Sequence, residues 1–210
     1  MYVWRKMSDQ EREEVLRDRK RRGHPWHSIP CIDSGPGSYL ITAACFEHSP
    51  LIDLSRNRMH SFRDDLLQTC TDAPEIEQVA AWVILPNHYH FLCKTHDIRA
   101  TKRALGKLHG RTSHAWNLED AKQGRKVWFR SAETWIKSER HYWATVNYIH
   151  HNPVKHGYTQ RQDEWPWSSF SEWLQEVGRE DLVALWHRYP VGDYGKNWDE
   201  FERREFTKED

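Results

Sequence analysis

The sequence feature that most constrains the fold is a pair of apolar segments separated by Pro86-Asn87. Residues 76–85 and 89–94 are rich in β-branched and aromatic side chains, which favour strands, whereas Pro-Asn is a typical turn signal. We therefore expect two antiparallel strands that form a hairpin-like pair.

Two histidines lie where the second strand begins. Because successive side chains of a strand alternate between its faces, His88 and His90 should point the same way and Tyr89 the opposite way, into the core. The imidazoles would lie about 6–7 Å apart along the strand and could bind one divalent metal ion. The alternative is two half-buried histidines at a strand edge. With 14 histidines in 210 residues, roughly one His-x-His pair is expected by chance, so the spacing by itself is weak support.

The remaining apolar segments predict further strands and helices. We expect a strand at 38–46, a helix within 51–70, a long helix at 98–118, an edge strand from 126–129 together with 134–136, and a helix at 139–151. Pro153 should end this last helix, because a residue that precedes proline disfavours the helical conformation. The order strand–helix–strand–strand–helix–strand–helix is typical of an α+β, ferredoxin-like split βαβ domain with an antiparallel sheet.

The segments on either side of this domain differ from it in composition. Residues 1–37 form an N-terminal arm, with a charged stretch at 9–22 that we expect to be helical. Residues 161–210 form an extension that begins Trp-rich and ends acidic. The domain between them covers residues 38–160.

The net charge is zero, but the charged residues are unevenly distributed. Residues 17–22 contain five basic residues and one acidic residue, and residues 99–126 contain eight basic and two acidic residues. From residue 199 onward there are six acidic and three basic residues. This distribution favours a body that binds a polyanion, followed by an acidic tail. The predicted phosphate contacts are Arg19, Lys20, Arg21 and Arg22 in the arm and Arg99, Lys102, Arg103, Lys107 and Arg111 in the long helix. The arm cluster could instead be a solvated surface, and the 12 tryptophans could fill the core or stack on unpaired bases.

The cysteines predict a reducing environment. The four are far apart and form no Cys-x-x-Cys pair, so neither a zinc knuckle nor a redox dithiol is expected. The sequence also shows no secretory signal and no apolar run of about 18 residues. We therefore expect a soluble cytoplasmic protein.

The predicted helix before Pro153 contains candidates for the second half of a site. Tyr148 and Asn152 are four positions apart and can share a helical face. A core tyrosine is the alternative interpretation of Tyr148. His150 and His151 are alternative metal ligands, although neither shares a helical face with Tyr148 as Asn152 does.

The histidine pair, Tyr148 and Asn152 together suit phosphoryl transfer. A metal held by the histidine pair and Asn152 would polarise a phosphodiester, and the Tyr148 phenol would attack phosphorus. The products are a 5′-phosphotyrosine and a free 3′-hydroxyl. Because a phenol has a pKa of about 10, the phenolate can leave again when a new 3′-hydroxyl attacks, which is strand transfer.

Three motifs, in this order, resemble a known family. They are PNHYHFL at 86–92, YIHHNPVKHG at 148–157 and WPWSS at 165–169. Together they resemble the single-tyrosine HUH transposases, and among these most closely the REP-associated tyrosine transposases, over roughly residues 20–172. Residues 38–160 would then be the HUH transposase domain.

The resemblance implies a role for each matching residue. His88 and His90 correspond to the metal pair, Tyr148 to the nucleophile, and Asn152 to the polar residue that completes the metal shell, where related insertion-sequence enzymes have a glutamine. It implies an endonuclease and strand transferase, dependent on Mg²⁺ or Mn²⁺, that cuts and joins single-stranded DNA at hairpin-forming palindromic repeats. Members of this branch often act as monomers, and a homodimer is the alternative.

Two other functions are compatible with the sequence. One is a non-catalytic DNA-hairpin-binding protein derived from a transposase, and the other is a metal-dependent hydrolase of small phosphoesters. The presence of both histidines and Tyr148 argues against the first. The charge distribution and the lack of a Gly-rich phosphate loop argue against the second.

Overall fold

A computed structural model of the chain describes residues 35–53 and 55–195 and, nearer the N-terminus, Ser8, Gln10, Glu11, Glu13, Glu14 and Arg17. The chain divides into two compact units, one of Ser34–Gly192 and one that combines Met1–Asp33 with Asp193–Asp210. In the second unit, the Ser8 backbone N–H donates to Glu11 Oε2 at 2.7 Å and the Glu11 N–H donates to Ser8 Oγ at 3.3 Å, which forms a capping box. The five other described positions of the arm are helical, in agreement with the helix predicted at 9–22.

The unit of Ser34–Gly192 contains a four-stranded sheet. Its strands are β1 (Gly37–Ala44), β2 (Ile76–Ile84), β3 (His88–Thr95) and β4 (Ala132–Trp135). They are arranged in the order β2-β3-β1-β4, and every neighbouring pair is antiparallel. This topology confirms the predicted α+β fold, and it places β3, which contains both candidate histidines, in the interior of the sheet.

Five α-helices accompany the sheet in the described part of the chain. They are α1 (Arg56–Asp72), α2 (Ile98–Glu119), α3 (Glu139–Lys155), α4 (Phe170–Glu176) and α5 (Arg179–Arg188). The first three begin at residues that cap them, because Ser55, Asp97 and Ser138 each accept a hydrogen bond from a backbone N–H three positions later. None of the helices in the described segments is long and apolar enough to cross a membrane.

The side chain of Tyr89 shows which helices cover which face of the sheet. Its ring packs 5.5 Å from that of Phe62 on α1, and its hydroxyl lies 2.9 Å from His109 Nε2 on α2. Helices α1 and α2 therefore cover the Tyr89 face. Because β3 side chains alternate between faces, His88 and His90 point to the other face, where α3 packs.

The fourth strand lies later in the chain than predicted. Residues 132–135 pair with β1, whereas Trp128 makes only an isolated bridge with Cys45. The predicted strand at 126–129 is therefore wrong as a continuous element. Trp128 is instead drawn into the aromatic core, where its indole stacks on the His109 ring at 4.5 Å and donates to Thr112 Oγ1 at 2.9 Å.

Helix α3 continues past Pro153 to Lys155, so the prediction that this proline ends the helix is wrong. A proline removes one backbone donor and costs about 3 kcal/mol in a helix interior. Here Asn152 and Pro153 are buried, and the Asn152 carbonyl still accepts from the His156 N–H at 3.0 Å. Tertiary packing therefore extends the helical face beyond Asn152 by one further turn.

The Trp-rich segment covers the outer edge of β2. The Trp165 indole donates to the Ile84 carbonyl at 2.9 Å, and the Ile84 N–H donates to the Trp167 carbonyl at 2.8 Å. Ser169 bonds Trp82 through both its backbone and its side chain. An uncovered edge strand would expose unpaired backbone N–H and C=O groups. The Trp-rich segment therefore provides hydrogen-bond partners for β2 before α4 begins.

Candidate active site

The histidine pair lies on β3, beneath α3. The two rings are nearly perpendicular, at 82°, with centroids 5.0 Å apart. This contact confirms the prediction that His88 and His90 share a face. His88 and His90 are only 1% and 0% exposed, so both imidazoles are enclosed by the protein.

Tyr148 on α3 contacts the second histidine of the pair. Its hydroxyl lies 3.5 Å from His90 Nε2, and the two rings meet edge to face with centroids 5.2 Å apart. The other ring nitrogen of His90, Nδ1, lies 2.7 Å from the hydroxyl of Thr42, which is opposite His90 in the β1–β3 register. The candidate nucleophile and a candidate ligand therefore come together within one chain.

Asn152 lies one helical turn beyond Tyr148 on the same face of α3. It is fully buried, and neither its amide nitrogen nor its oxygen has a hydrogen-bond partner in the described part of the chain. A buried amide without a partner costs about 1–3 kcal/mol. Such an orphaned oxygen fits a residue that binds a ligand.

His156 is a site residue that the motif spacing did not single out. Its ring centroid is 5.2 Å from that of His88, at 72°. Tyr148, Asn152 and His156 are spaced four residues apart, so the helical period could have identified it. It was missed because Pro153 was expected to end the helix.

Lys155 adds positive charge beside the candidate nucleophile. Its ammonium nitrogen lies 5.2 Å from the centroid of the Tyr148 ring. A cation over an aromatic face interacts favourably with it, by about 0.5–1 kcal/mol at exposed positions. Lys155 therefore places a positive charge beside the ring of Tyr148.

The donor set is compatible with a metal only if the asparagine takes part. Among the described residues, no group of three or more His, Cys, Asp or Glu side chains is placed to hold a metal ion. The histidine pair offers two nitrogen ligands, and the Asn152 oxygen is a third donor of a different type. Carbonyl oxygens suit Mg²⁺ and Mn²⁺, so the Asn152 oxygen is the donor of this set that fits such an ion.

The alternative ligands lie on another side of α3. The His150 ring packs against Phe170 and Trp173, and its Nε2 lies 3.0 Å from Ser169 Oγ. The His151 ring packs against Trp186 on α5. Neither histidine is brought to the pair on β3, so their predicted alternative role as ligands is not supported by the structure.

His150 should make the protein less stable in acid. Burial lowers the pKa of His150 to about 3, whereas an unfolded histidine titrates near 6.5. Below about pH 6.5 the unfolded chain takes up a proton at this histidine and the folded chain does not. The free energy of unfolding therefore decreases as the pH falls from 6.5 toward 3, by up to about 1.4 kcal/mol per pH unit. We expect His150→Gln to show a correspondingly shallower loss of unfolding free energy between pH 6 and 4.5, measured by urea unfolding. An unchanged slope would contradict this assignment.

The predicted phosphate contacts fall into two groups. Arg19, Lys20, Arg21 and Arg22 lie outside the described residues. Arg99, Arg103, Lys107 and Arg111 are exposed on α2, whereas Lys102 is half-buried in an ion pair with Glu133. Because α2 packs on the Tyr89 face, this basic surface lies across the sheet from Tyr148.

Comparisons with known proteins agree with this architecture. No family model matches the chain. The chain is 33% identical over 97 residues to the REP-associated tyrosine transposase of Escherichia coli (strain K12), a match that covers 44% of this chain and 54% of that relative. It is 30% identical over 122 residues to a Haemophilus influenzae protein that is named for the same family. This second match covers 53% of this chain and 68% of that protein.

A solved structure shares the fold. It is the structure of a REP-associated tyrosine transposase bound to a REP hairpin, and it superposes with a TM-score of 0.57. The match covers 72% of this chain and 87% of the other, at 22% identity.

Proposed function

Because the chain belongs to the family of REP-associated tyrosine transposases, we propose that it is a metal-dependent endonuclease and strand transferase. Its proposed substrate is single-stranded DNA that contains palindromic hairpin repeats. The observation on which this proposal mainly rests is the 3.5 Å contact between Tyr148 Oη and His90 Nε2. Since both residues belong to one chain, the proposed site needs no second copy. Genomic DNA as the substrate would place the activity in the cytoplasm.

Tyr148 is the proposed nucleophile. Its phenol oxygen gives up its proton and forms a bond to phosphorus, the bond from phosphorus to the 3′-oxygen breaks, and the 3′-oxygen takes up a proton and leaves as a hydroxyl. The intermediate is a 5′-phosphotyrosine. In the reverse direction, a 3′-hydroxyl attacks phosphorus and the Tyr148 oxygen leaves, which reseals the strand.

The surroundings of Tyr148 favour this exchange. The nearby Lys155 ammonium stabilises the phenolate that departs during resealing. Tyr148 is 1% exposed, and electrostatic interactions are stronger in such an enclosed site than in water. The same burial means that a DNA phosphate reaches the phenol oxygen only when neighbouring groups move.

His88, His90 and Asn152 are the residues that would hold a divalent ion. The orphaned Asn152 amide and the adjacent imidazoles support this assignment. When bound, Mg²⁺ or Mn²⁺ supplies Lewis-acid polarisation of the scissile phosphate. His156 lies against His88 and helps to enclose the pair.

Hairpin DNA is the proposed partner, since the solved relative is bound to a REP hairpin. The exposed basic side chains of α2 are the proposed phosphate contacts within the described segments. We expect Arg103→Gln/Lys107→Gln to reduce the slope of log affinity against log salt by roughly one for each phosphate that is no longer neutralised. Hairpin binding measured by fluorescence anisotropy at several salt concentrations gives this slope.

The matched control for this measurement is Lys94→Gln. Lys94 is also exposed, but its ammonium is paired closely with Glu77, at 2.6 Å, whereas Arg103 lies 3.8 Å from Asp97. Because Glu77 already neutralises Lys94, its replacement should leave the slope unchanged. If the double α2 variant also keeps the parent slope, the phosphate contacts lie elsewhere. Basic side chains on the face of the sheet that α3 covers then become the next candidates.

The proposed function is tested by trapping the intermediate. The full chain is incubated with single-stranded hairpin DNA labelled at the 5′ or the 3′ end, with Mn²⁺ or with EDTA, and separated on a denaturing gel. We expect a labelled adduct that requires the metal ion and retains only the label 3′ of the cut. Hairpin DNA that shifts on a native gel but is never cut would instead support a binding protein without catalysis.

A further inference from the structure

His88 is connected to a chain of two hydrogen bonds on the side of its Nδ1 atom. Nδ1 lies 2.7 Å from Asn87 Oδ1, and Asn87 Nδ2 donates to the His48 carbonyl oxygen at 3.1 Å. A carbonyl oxygen can only accept, so the second bond identifies which end of the amide is nitrogen. The oxygen end of Asn87 must therefore face His88.

This assignment determines the tautomer of His88. Because Asn87 Oδ1 can only accept, His88 Nδ1 must be the donor and must bear the proton. A neutral imidazole has one such proton, so Nε2 keeps its lone pair. A nitrogen binds a metal through that lone pair.

We propose that Asn87 is a positioning residue that holds His88 in the Nδ1–H tautomer and presents Nε2 as the metal-binding atom. This inference rests on the proposed function, and it assigns to Asn87 a role beyond that of a turn residue. Asn87 does not touch the substrate or the reacting atoms, since it acts through His88.

The backbone around Asn87 is built to keep it in place. The Asn87 carbonyl accepts from the Cys45 N–H at 2.7 Å, and the Pro86 carbonyl accepts from the Ile52 N–H at 2.9 Å. Residues Glu47 and His48 adopt φ values of 53° and 52°, a left-handed conformation that costs about 1–2 kcal/mol for each residue with a side chain. This loop presents the His48 carbonyl to Asn87, and such strain persists where the surrounding structure enforces it.

The hydrogen bonds of His90 do not select a tautomer in the same way. The group beside its Nδ1 is the Thr42 hydroxyl, which can either donate or accept. The group near its Nε2 is the Tyr148 phenol, which is also able to do both. Both neighbours of His90 are therefore compatible with either tautomer, whereas Asn87 commits His88 to one tautomer.

Two substitutions separate positioning from a purely structural role. Both Asn87→Asp and Asn87→Leu remove the amide donor to His48, so both weaken the turn. Only Asn87→Asp keeps an oxygen that accepts from His88 Nδ1. The tautomer is read from the ¹⁵N NMR shifts of the His88 ring in the metal-free, full-length protein, and Mn²⁺ affinity is measured by isothermal titration calorimetry.

We expect the parent and Asn87→Asp to show a protonated Nδ1 and to bind Mn²⁺ within about threefold of each other. Asn87→Leu should lose the preference for that tautomer and bind Mn²⁺ about 10- to 100-fold more weakly. A parent spectrum with the proton on Nε2, or equal weakening in both variants, would overturn the proposal. If the parent binds no Mn²⁺, the metal dependence of the proposed function fails, and the NMR comparison of the parent with Asn87→Leu still decides the role of Asn87.

Discussion

Tyr148→Phe is expected to abolish the covalent protein–DNA adduct, with a loss of at least about 10³-fold in its rate of formation. The substitution deletes one oxygen, which is the atom that would attack phosphorus, and it leaves the ring contacts with His90 and Lys155 intact. The hydroxyl makes a long, 3.5 Å contact with His90 Nε2, so stability should change little. Hairpin affinity should remain close to that of the parent.

The matched control is Tyr142→Phe, the same substitution on the same helix. Tyr142 lies six residues before Tyr148 and packs against Trp143. Six residues of an α-helix do not complete a whole number of turns, so Tyr142 and Tyr148 lie on different faces of α3. We expect it to form the adduct at the parent rate on the denaturing gel. If Tyr148→Phe still forms the adduct, the nucleophile is a different residue.

His90→Ala is expected to reduce adduct formation on the order of 10²-fold or more, because it removes a proposed metal ligand and the ring beside the nucleophile. The remaining activity should respond weakly to Mn²⁺. The chain should still fold, because the surrounding sheet is held by β1 and β2 on both sides of β3. Adduct kinetics and thermal melting measure these two effects separately.

His150→Ala is the control for the loss of a buried imidazole. His150 is 3% exposed and lies on α3, but it bonds Ser169 and does not face β3. Both variants should lower the melting temperature to a similar extent, while only His90→Ala loses adduct formation. A much larger loss of melting temperature in His90→Ala, with an unchanged adduct rate, would favour the interpretation of His90 as a core histidine.

The most accurate predictions from sequence concern residues that are close together in the chain. The hairpin of β2 and β3, the shared face of His88 and His90, and the boundaries of α2 agree with the structure. These features depend on the strand period of two and on turn chemistry, which are local properties. The roles of the site residues remain predictions.

The errors arise where tertiary packing overrides a local rule. Pro153 disfavours helix on local grounds, yet it is buried and α3 remains helical through Lys155. Trp128 belongs to a segment with strand propensity, yet the aromatic core around His109 takes up its indole. In both places, nonlocal contacts contribute more free energy than the propensity of the segment.

The sequence by itself determined that two histidines share one strand face and that Tyr148 and Asn152 share one helix face, because both follow from backbone periodicity. Only the tertiary structure decided that these two faces meet, with Tyr148 against His90 and His156 against His88. The tertiary structure also placed the basic surface of α2 on the other side of the sheet. Such contacts join residues about 60 positions apart, and their geometry depends on how whole elements pack, which no local pattern contains.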